Sequence, residues 1–263
     1  MPLHIRKALL VYCSPAGSTA HVARIMRQKI AALETPVTMI DLSDYPDVDF
    51  IIPQLFDALD NICLYIGSPV YAAHPIPPVM EFIARMPQAK NGFSAPFVTW
   101  GAVTSGIALY EMGAALAQKG YPILGAAKVL SRHSMMWAVD TPLGADHPNA
   151  EDDRMIETLL QAVADKLRKT DPPTLAPSVL DYQAQSLRDQ MAQESFEQAK
   201  TRFPPQKSTE RTLHAVWHLR RELSGGGDPF DRCARDRSGL HSLPQLRPDL
   251  PGNGHRGGPS SDL

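Results

Sequence analysis

Short apolar runs rich in β-formers alternate with segments of helical period over the first two-thirds of the chain. The runs are 8–12, 36–42, 61–67, 95–100 and 123–131. Most are nearly continuous rather than alternating, the pattern of parallel strands buried on both faces. The run 36–42 (Pro-Val-Thr-Met-Ile-Asp-Leu) alternates and suits a more peripheral strand. Helices are predicted at 19–33, 77–86, 107–119 and 151–169. In the last, Met155, Ile156, Leu159, Leu160, Val163 and Leu167 keep a 3–4 spacing on one face. Strands alternating with helices imply a doubly wound α/β fold with a five-stranded parallel sheet. In the order 2-1-3-4-5 its ligand crevice lies at the carboxyl ends of strands 1 and 3.

This domain is expected to span 1–170. Asp171-Pro172-Pro173 then breaks the chain, and proline persists to Pro177. Within the second segment, 171–203, one further helix is predicted over 180–203. Leu180, Ala184, Leu187, Met191, Phe196, Ala199 and Phe203 fall roughly along its stripe. That helix either packs back on the domain or meets a partner. The third segment, 204–263, holds 7 Pro, 8 Gly, 8 Arg and 1 Lys in 60 residues, whereas residues 1–203 carry 9 Arg and 8 Lys. Outside 213–223 it shows no apolar period, and it reads as a low-complexity, largely disordered tail.

An apolar fraction of 43% and a formal charge of −2 give no sign of nucleic-acid or anionic-membrane binding. No apolar run reaches membrane-spanning length, and residues 1–7 lack a signal-peptide core. Three cysteines at unrelated spacings argue against a disulfide framework and fit a reducing cytoplasm. Cys13 and Cys63 read as small buried hydrophobes.

The first strand runs into Ser14-Pro15-Ala16-Gly17-Ser18-Thr19. Gly17 lets the backbone turn, and hydroxyls and free amides then meet the positive end of the following helix. Such a turn suits an anion. It has neither the Lys-Ser/Thr of a P-loop nor three dinucleotide-type glycines. After the third strand, Gly67-Ser68-Pro69-Val70-Tyr71-Ala72-Ala73-His74-Pro75-Ile76-Pro77-Pro78 is stiffened by proline and offers Tyr71 as a flat face. After the fourth come Trp100, Gly101, Ala102, Val103, Thr104, Ser105 and Gly106, with glycines that permit close backbone approach. After the fifth, 131–148 is rich in Met, Trp and His. His133 and His147 read as hydrogen-bonded loop histidines. His214 and His218 have metal-compatible spacing but no further ligand nearby in sequence. The ends of strands 1 and 3 carry Cys13-Ser14 and Gly67-Ser68, not the acidic cluster of a response-regulator receiver.

Ser14-x-x-Gly17-x-Thr19 resembles the FMN-phosphate loop of flavodoxins, and Gly67-Ser68-Pro69-Val70-Tyr71 their flavin-contacting loop. With Gly106 through Met112 and Gly120-Tyr121, the chain resembles, over about residues 5–170, the flavodoxin-like domain of bacterial flavodoxin/ferredoxin fusion proteins. The resemblance implies non-covalent FMN. Its phosphate would lie on Ser14, Pro15, Ala16, Gly17, Ser18 and Thr19. Ser68, Pro69, Val70 and Tyr71 would wall one side of the ring, and Trp100, Gly101, Ala102 and Gly106 the other. No residue need act as acid, base or nucleophile. A phosphate site without Lys or Arg leaves negative charge near the ring, which implies a low-potential one-electron carrier serving redox partner proteins. A homodimer is left open.

Those fusion proteins follow with a cysteine-rich ferredoxin whose [4Fe–4S] clusters need four thiolates each. Here that region holds only Cys233, so no iron–sulfur cluster is expected. The arginine-rich tail reads as a frameshifted ferredoxin or as a natural disordered segment. Two other functions fit the same fold: an FMN-dependent NAD(P)H/quinone-type oxidoreductase, and a binding module without cofactor.

Overall fold

Strand β1 (Lys7–Tyr12) pairs in parallel with β2 (Val37–Asp41) on one side and β3 (Ile62–Tyr71) on the other. Ala8 lies opposite both Val37 and Cys63, and Tyr12 opposite Asp41 and Gly67. β3 then pairs with β5 (Phe93–Trp100), and β5 with β6 (Ala127–Leu130), all parallel. β4 (His74–Pro75) is a two-residue antiparallel partner of the end of β3. Leaving that hairpin aside, the order β2-β1-β3-β5-β6 is the expected 2-1-3-4-5, the flavodoxin-like arrangement. The structure, a computed structural model, describes residues 5, 7–45, 47–56, 61–136, 139–195, 198, 199 and 201. The tail, with Cys233, His214 and His218, lies outside them, as do Trp137, Phe196 and Phe203.

The apolar runs are continuous because the sheet is covered twice. Ala8, Leu10 and Tyr12 join Cys63, Tyr65, Ala95, Phe97, Ala127 and Val129 on one face. Against them pack Val22, Ala23, Met26 and Ile30 of α1 (Ser18–Ala32), and Ile156, Leu160 and Val163 of α5 (Ala150–Leu167). The alternate residues Leu9, Val11, Leu64, Ile66 and Val98 are equally buried on the other face. There lie α2 (Val48–Phe56), α3 (Pro77–Arg85) and α4 (Ala108–Gln118). Each such Leu or Ile contributes about 1.5–3 kcal/mol by leaving water. Asn149 and Asp152 start α5 with a reciprocal capping box.

Several boundaries depart from the sequence reading. β3 does not stop at Gly67 but continues through Tyr71, because Ser68 and Pro69 remain in register with Val98 and Thr99. β6 is short, and Ile123 joins the sheet only through isolated bridges to Ser94 and Leu175. The crossover between β2 and β3 contains α2, a helix not predicted because Pro53 interrupts it. Its buried Val48, Ile51, Ile52 and Leu55 nonetheless keep helical spacing.

The helix expected over 180–203 is replaced by a 3-10 turn (Pro177–Leu180) and the shorter α6 (Gln185–Gln193). Ser195 and Gln198 explain where α6 stops. The Ser195 amide donates to Gln198 Oε1 at 2.8 Å and the Gln198 amide to Ser195 Oγ at 3.1 Å, a new N-terminal cap. Upstream, the Leu175 amide bonds the Ile123 carbonyl at 2.7 Å. Leu180 is buried beside Gly113 of α4. Cys13 and Cys63 are both buried thiols, and burial pushes the Cys63 thiol up to about 12. Among the described residues no helix is long and apolar enough to cross a membrane.

Candidate functional site

The loops singled out by sequence all leave the carboxyl ends of strands, and the sheet order brings them to one edge. Three contacts knit that edge together. The Cys13 amide reaches the Gly67 carbonyl at 3.3 Å, linking the ends of β1 and β3. Thr19 Oγ1 and Thr99 Oγ1 share a buried hydrogen bond of 2.8 Å between α1 and β5. The Ser131 amide donates to the Trp100 carbonyl at 2.9 Å, joining the loops after β6 and β5.

In the first turn, Pro15, Ala16 and Gly17 are exposed, Ser18 is half-buried, and Ser14 and Thr19 are buried. Gly17 caps α1 with φ +88°, a left-handed conformation that glycine adopts freely. A Cβ at Gly17 would meet nothing within 4 Å, so the turn is open on that side. The Ala20 amide is capped by Ser14 Oγ at 2.8 Å, and the Gly17 amide bonds the Ser14 carbonyl at 3.2 Å. Among the described residues the amides of Ala16, Ser18 and Thr19 have no acceptor. Ser14 Oγ accepts from Ala20 and keeps its own proton for donation. Open space, three spare amides and a helix amino terminus fit a phosphate group.

The second loop is a strand that turns back on itself. Tyr71 pairs with His74 across Ala72 and Ala73, whose φ values are +50° and +72°. Two positive φ values mark a type I′ turn, where Asn and Gly are usual. Two alanines there hold strain of about 1–2 kcal/mol each. Ser68 is fully buried; its Oγ accepts from the Ile76 amide at 3.0 Å and donates to the Pro69 carbonyl at 2.8 Å. Pro69 is buried, while Val70 and Tyr71 are half-buried.

The third loop leans on the second. Gly106 has φ +56°, and a Cβ there would lie 2.1 Å from the Ala73 carbonyl oxygen. The Ile107 amide donates to that same oxygen at 2.9 Å. Trp100 and Gly101 are half-buried, as is Ala102, a third alanine with positive φ (+64°). The close approach at Gly101 is to His133: a Cβ would sit 2.8 Å from the His133 Cα. His147 Nδ1 lies 2.6 Å from the Asp152 carboxylate, so this ring belongs to the cap of α5. A cavity of about 240 Å³ lies away from this edge, at the amino ends of β3 and β5, between Phe56, Ile62, Pro87, Lys90 and Tyr121.

Other residues of this edge were not identified from sequence. Ser43, in the turn after β2, places its Oγ 3.3 Å from both Cys13 Sγ and the Ser14 amide. The Asp41-Leu42-Ser43 turn was its only local signal: Asp41 Oδ1 accepts from the Ser43 amide at 3.0 Å. Thr99 had none, since its partner Thr19 lies far off in sequence. Ser105, quoted within its loop without a role, bonds the equally distant Tyr182. His74 was quoted within its loop without a role. Its Nδ1 lies 2.9 Å from Glu111 Oε2 and its Nε2 2.9 Å from the Met191 carbonyl. The Glu111 bond raises its pKa above the usual value against the opposing effect of burial, with further help from the Met191 and Glu194 backbone.

No known protein family matches the chain, and no curated protein does. Solved structures are similar over part of it. Rubredoxin oxygen:oxidoreductase from Desulfovibrio gigas is 19% identical over 62% of this chain and 36% of its own, with a TM-score of 0.49. This chain thus spans about a third of that protein's length. A flavodoxin from the domain Archaea is 19% identical over 62% of this chain and 99% of its own, with a TM-score of 0.43. Oxidised flavodoxin 1 from Bacillus cereus is 17% identical over 60% and 97%, with a TM-score of 0.46.

Proposed function

We propose that this chain binds FMN at the carboxyl edge of its sheet and serves as a low-potential electron carrier. The observation that carries the reading is the 14–19 turn, with its open face and the unpartnered amides of Ala16, Ser18 and Thr19 at the start of α1. The Ser14 hydroxyl adds a donor, and the helix dipole favours an anion there. Tyr71, at the end of β3, and Trp100, at the end of β5, supply flat half-buried faces at the same edge of the sheet. FMN, when bound, supplies the redox chemistry; the chain holds its phosphate, walls its ring and sets its surroundings. The turn contains no cation to neutralise the phosphate, which supports a low potential. Exposed Val103, Met135, Val139 and Leu143 on the adjoining loops offer an apolar rim to a redox partner. Cys13 and Cys63, both held as buried thiols, support a reducing compartment.

FMN titration of the purified protein tests this reading. Quenched flavin fluorescence and the two visible bands of oxidised flavin are the expected result. A colourless protein that leaves added FMN fluorescence unquenched would favour the cofactor-free binding module instead. Rapid NAD(P)H oxidation with a quinone would favour the oxidoreductase. Descent from the flavodoxin/ferredoxin fusion proteins is a further part of the proposal, supported by the joint occurrence of the loop motifs. Translating the other two reading frames after the codon for Phe203 tests it: a Cys-x-x-Cys-x-x-Cys-x-x-x-Cys-Pro run is expected in one of them.

A further inference from the structure

The segment after α5 crosses α4 and ends against two of the candidate flavin loops. Leu175 bridges to Ile123, and Leu180 lies against Gly113 of α4. Tyr182 then donates its hydroxyl to Ser105 Oγ at 2.9 Å, while its ring carries Lys128 Nζ 3.8 Å from the centroid. Gln183 Nε2 donates to the Gly106 carbonyl at 3.1 Å. Finally, the carbonyl of Met191, in α6, meets His74 Nε2. Ser105 and Gly106 belong to the loop after β5, and His74 closes the β3–β4 hairpin. One segment therefore fastens both walls.

The fastening at His74 depends on charge. Nδ1 faces the Glu111 carboxylate and Nε2 faces the Met191 carbonyl, and both partners accept. A neutral imidazole has one N–H and satisfies one of them; the imidazolium donates to both. The ring's side chain is only 12% exposed, so a lost bond is poorly replaced by water. The groups around the ring are Glu111 from α4, the backbone of Met191 in α6 and of Glu194 just after it, and Tyr71 across the hairpin. The strap's Arg188 is engaged by Asp181 and Asp189, and Tyr182 is kept protonated by burial.

We propose that residues 175–193 form a strap that positions the 71–74 and 104–106 loops, latched by the doubly protonated ring of His74, so that raising the pH releases the strap and loosens the candidate flavin site. His74, Tyr182 and Gln183 are positioning residues in this scheme. The coupling to ligand rests on the flavin reading; the latch itself does not. His74 has a raised pKa in the fold. Its stabilisation is therefore complete below the unfolded value near ~6.5 and is lost as pH rises through the folded value.

The test follows amide hydrogen exchange of 185–193 in the full-length protein without added flavin, as protection factors corrected for intrinsic exchange. Protection should fall roughly tenfold or more between about pH 6 and about pH 9, the worth of one charge-assisted hydrogen bond. His74→Gln should flatten that profile. Glu111→Gln, which leaves the ring itself intact, should move the transition to lower pH. The FMN dissociation constant should rise across the same transition in wild type and stay level in His74→Gln. Flat strap protection in wild type, or the same transition in His74→Gln, overturns the latch. A strap transition with an unchanged FMN constant overturns the coupling. A strap transition in a protein that binds no FMN at any pH overturns the flavin reading, and with it the coupling, while supporting the latch.

Discussion

The 14–19 turn and the 71–74 hairpin both stand at carboxyl ends of central strands, and both need left-handed backbone. They meet the need differently. In the first, the left-handed residue is Gly17, with open space around it and spare amides on either side. In the second, the left-handed residues are two alanines. Their neighbours hold them: Gly106 packs on Ala73, Ile107 bonds its carbonyl, and His74 is gripped from both sides. An unstrained turn with unused donors is suited to accept a ligand. A strained turn whose groups are engaged internally is suited to be a wall, since packing and not local preference fixes its shape.

The same substitution in the two regions should therefore have unequal effects. Gly106→Ala places a Cβ 2.1 Å from the Ala73 oxygen and 2.3 Å from its Cα, both backbone atoms unable to step aside. It should lower the unfolding free energy by about 3 kcal/mol or more and disturb the hairpin. Gly17→Ala meets no atom and bears only the left-handed strain of about 1–2 kcal/mol. Urea unfolding of the two variants side by side measures the gap, and equal losses would break the comparison. FMN titration sharpens it, since Gly17→Ala sets a methyl group in the open space where the phosphate would lie and should weaken binding by at least tenfold, equivalent to ~1.4 kcal/mol. Ser14→Ala comes next. It leaves the Ala20 amide without its cap, at about 1 kcal/mol of stability, and removes a hydroxyl from the proposed phosphate site. Weaker FMN binding should accompany the lower urea midpoint.

Legibility in the sequence followed the range of the interactions involved. β1, β3 and β5 were plain because burial on both faces demands unbroken apolar runs. The 14–19 turn was plain because a single glycine and its hydroxyl neighbours carry it. The extension of β3 was hidden by Ser68 and Pro69, which look like turn residues. It survives because the Ser68 hydroxyl is satisfied by Ile76 and Pro69 within the hairpin. Helix α2 was hidden by Pro53, whose missing amide is outweighed by burial of four aliphatic side chains. The hold on His74 was least legible, because Glu111 and Met191 lie 37 and 117 residues away and neither forms a motif with it.

The smallest effect carries the opposite sign. Asn-Gly is the preferred type I′ pair, so Ala72→Asn with Ala73→Gly should relieve the strain recorded in φ values of +50° and +72°. Against that relief stand the entropy glycine restores to the unfolded chain, about 0.5–1 kcal/mol, and a methyl lost from the buried Ala73, about 0.8 kcal/mol. Asn keeps its Cβ and relieves only part of the strain at 72, so the net should be a gain below about 1 kcal/mol, read as a small rise in urea midpoint. FMN affinity should stay within about twofold, because Gly106, Ile107 and His74 hold the hairpin whatever its own residues prefer. A loss of affinity without a loss of stability would show that the strained alanines shape the ring's wall themselves. The hairpin would then belong with the 14–19 turn as a part of the molecule that meets the ligand directly.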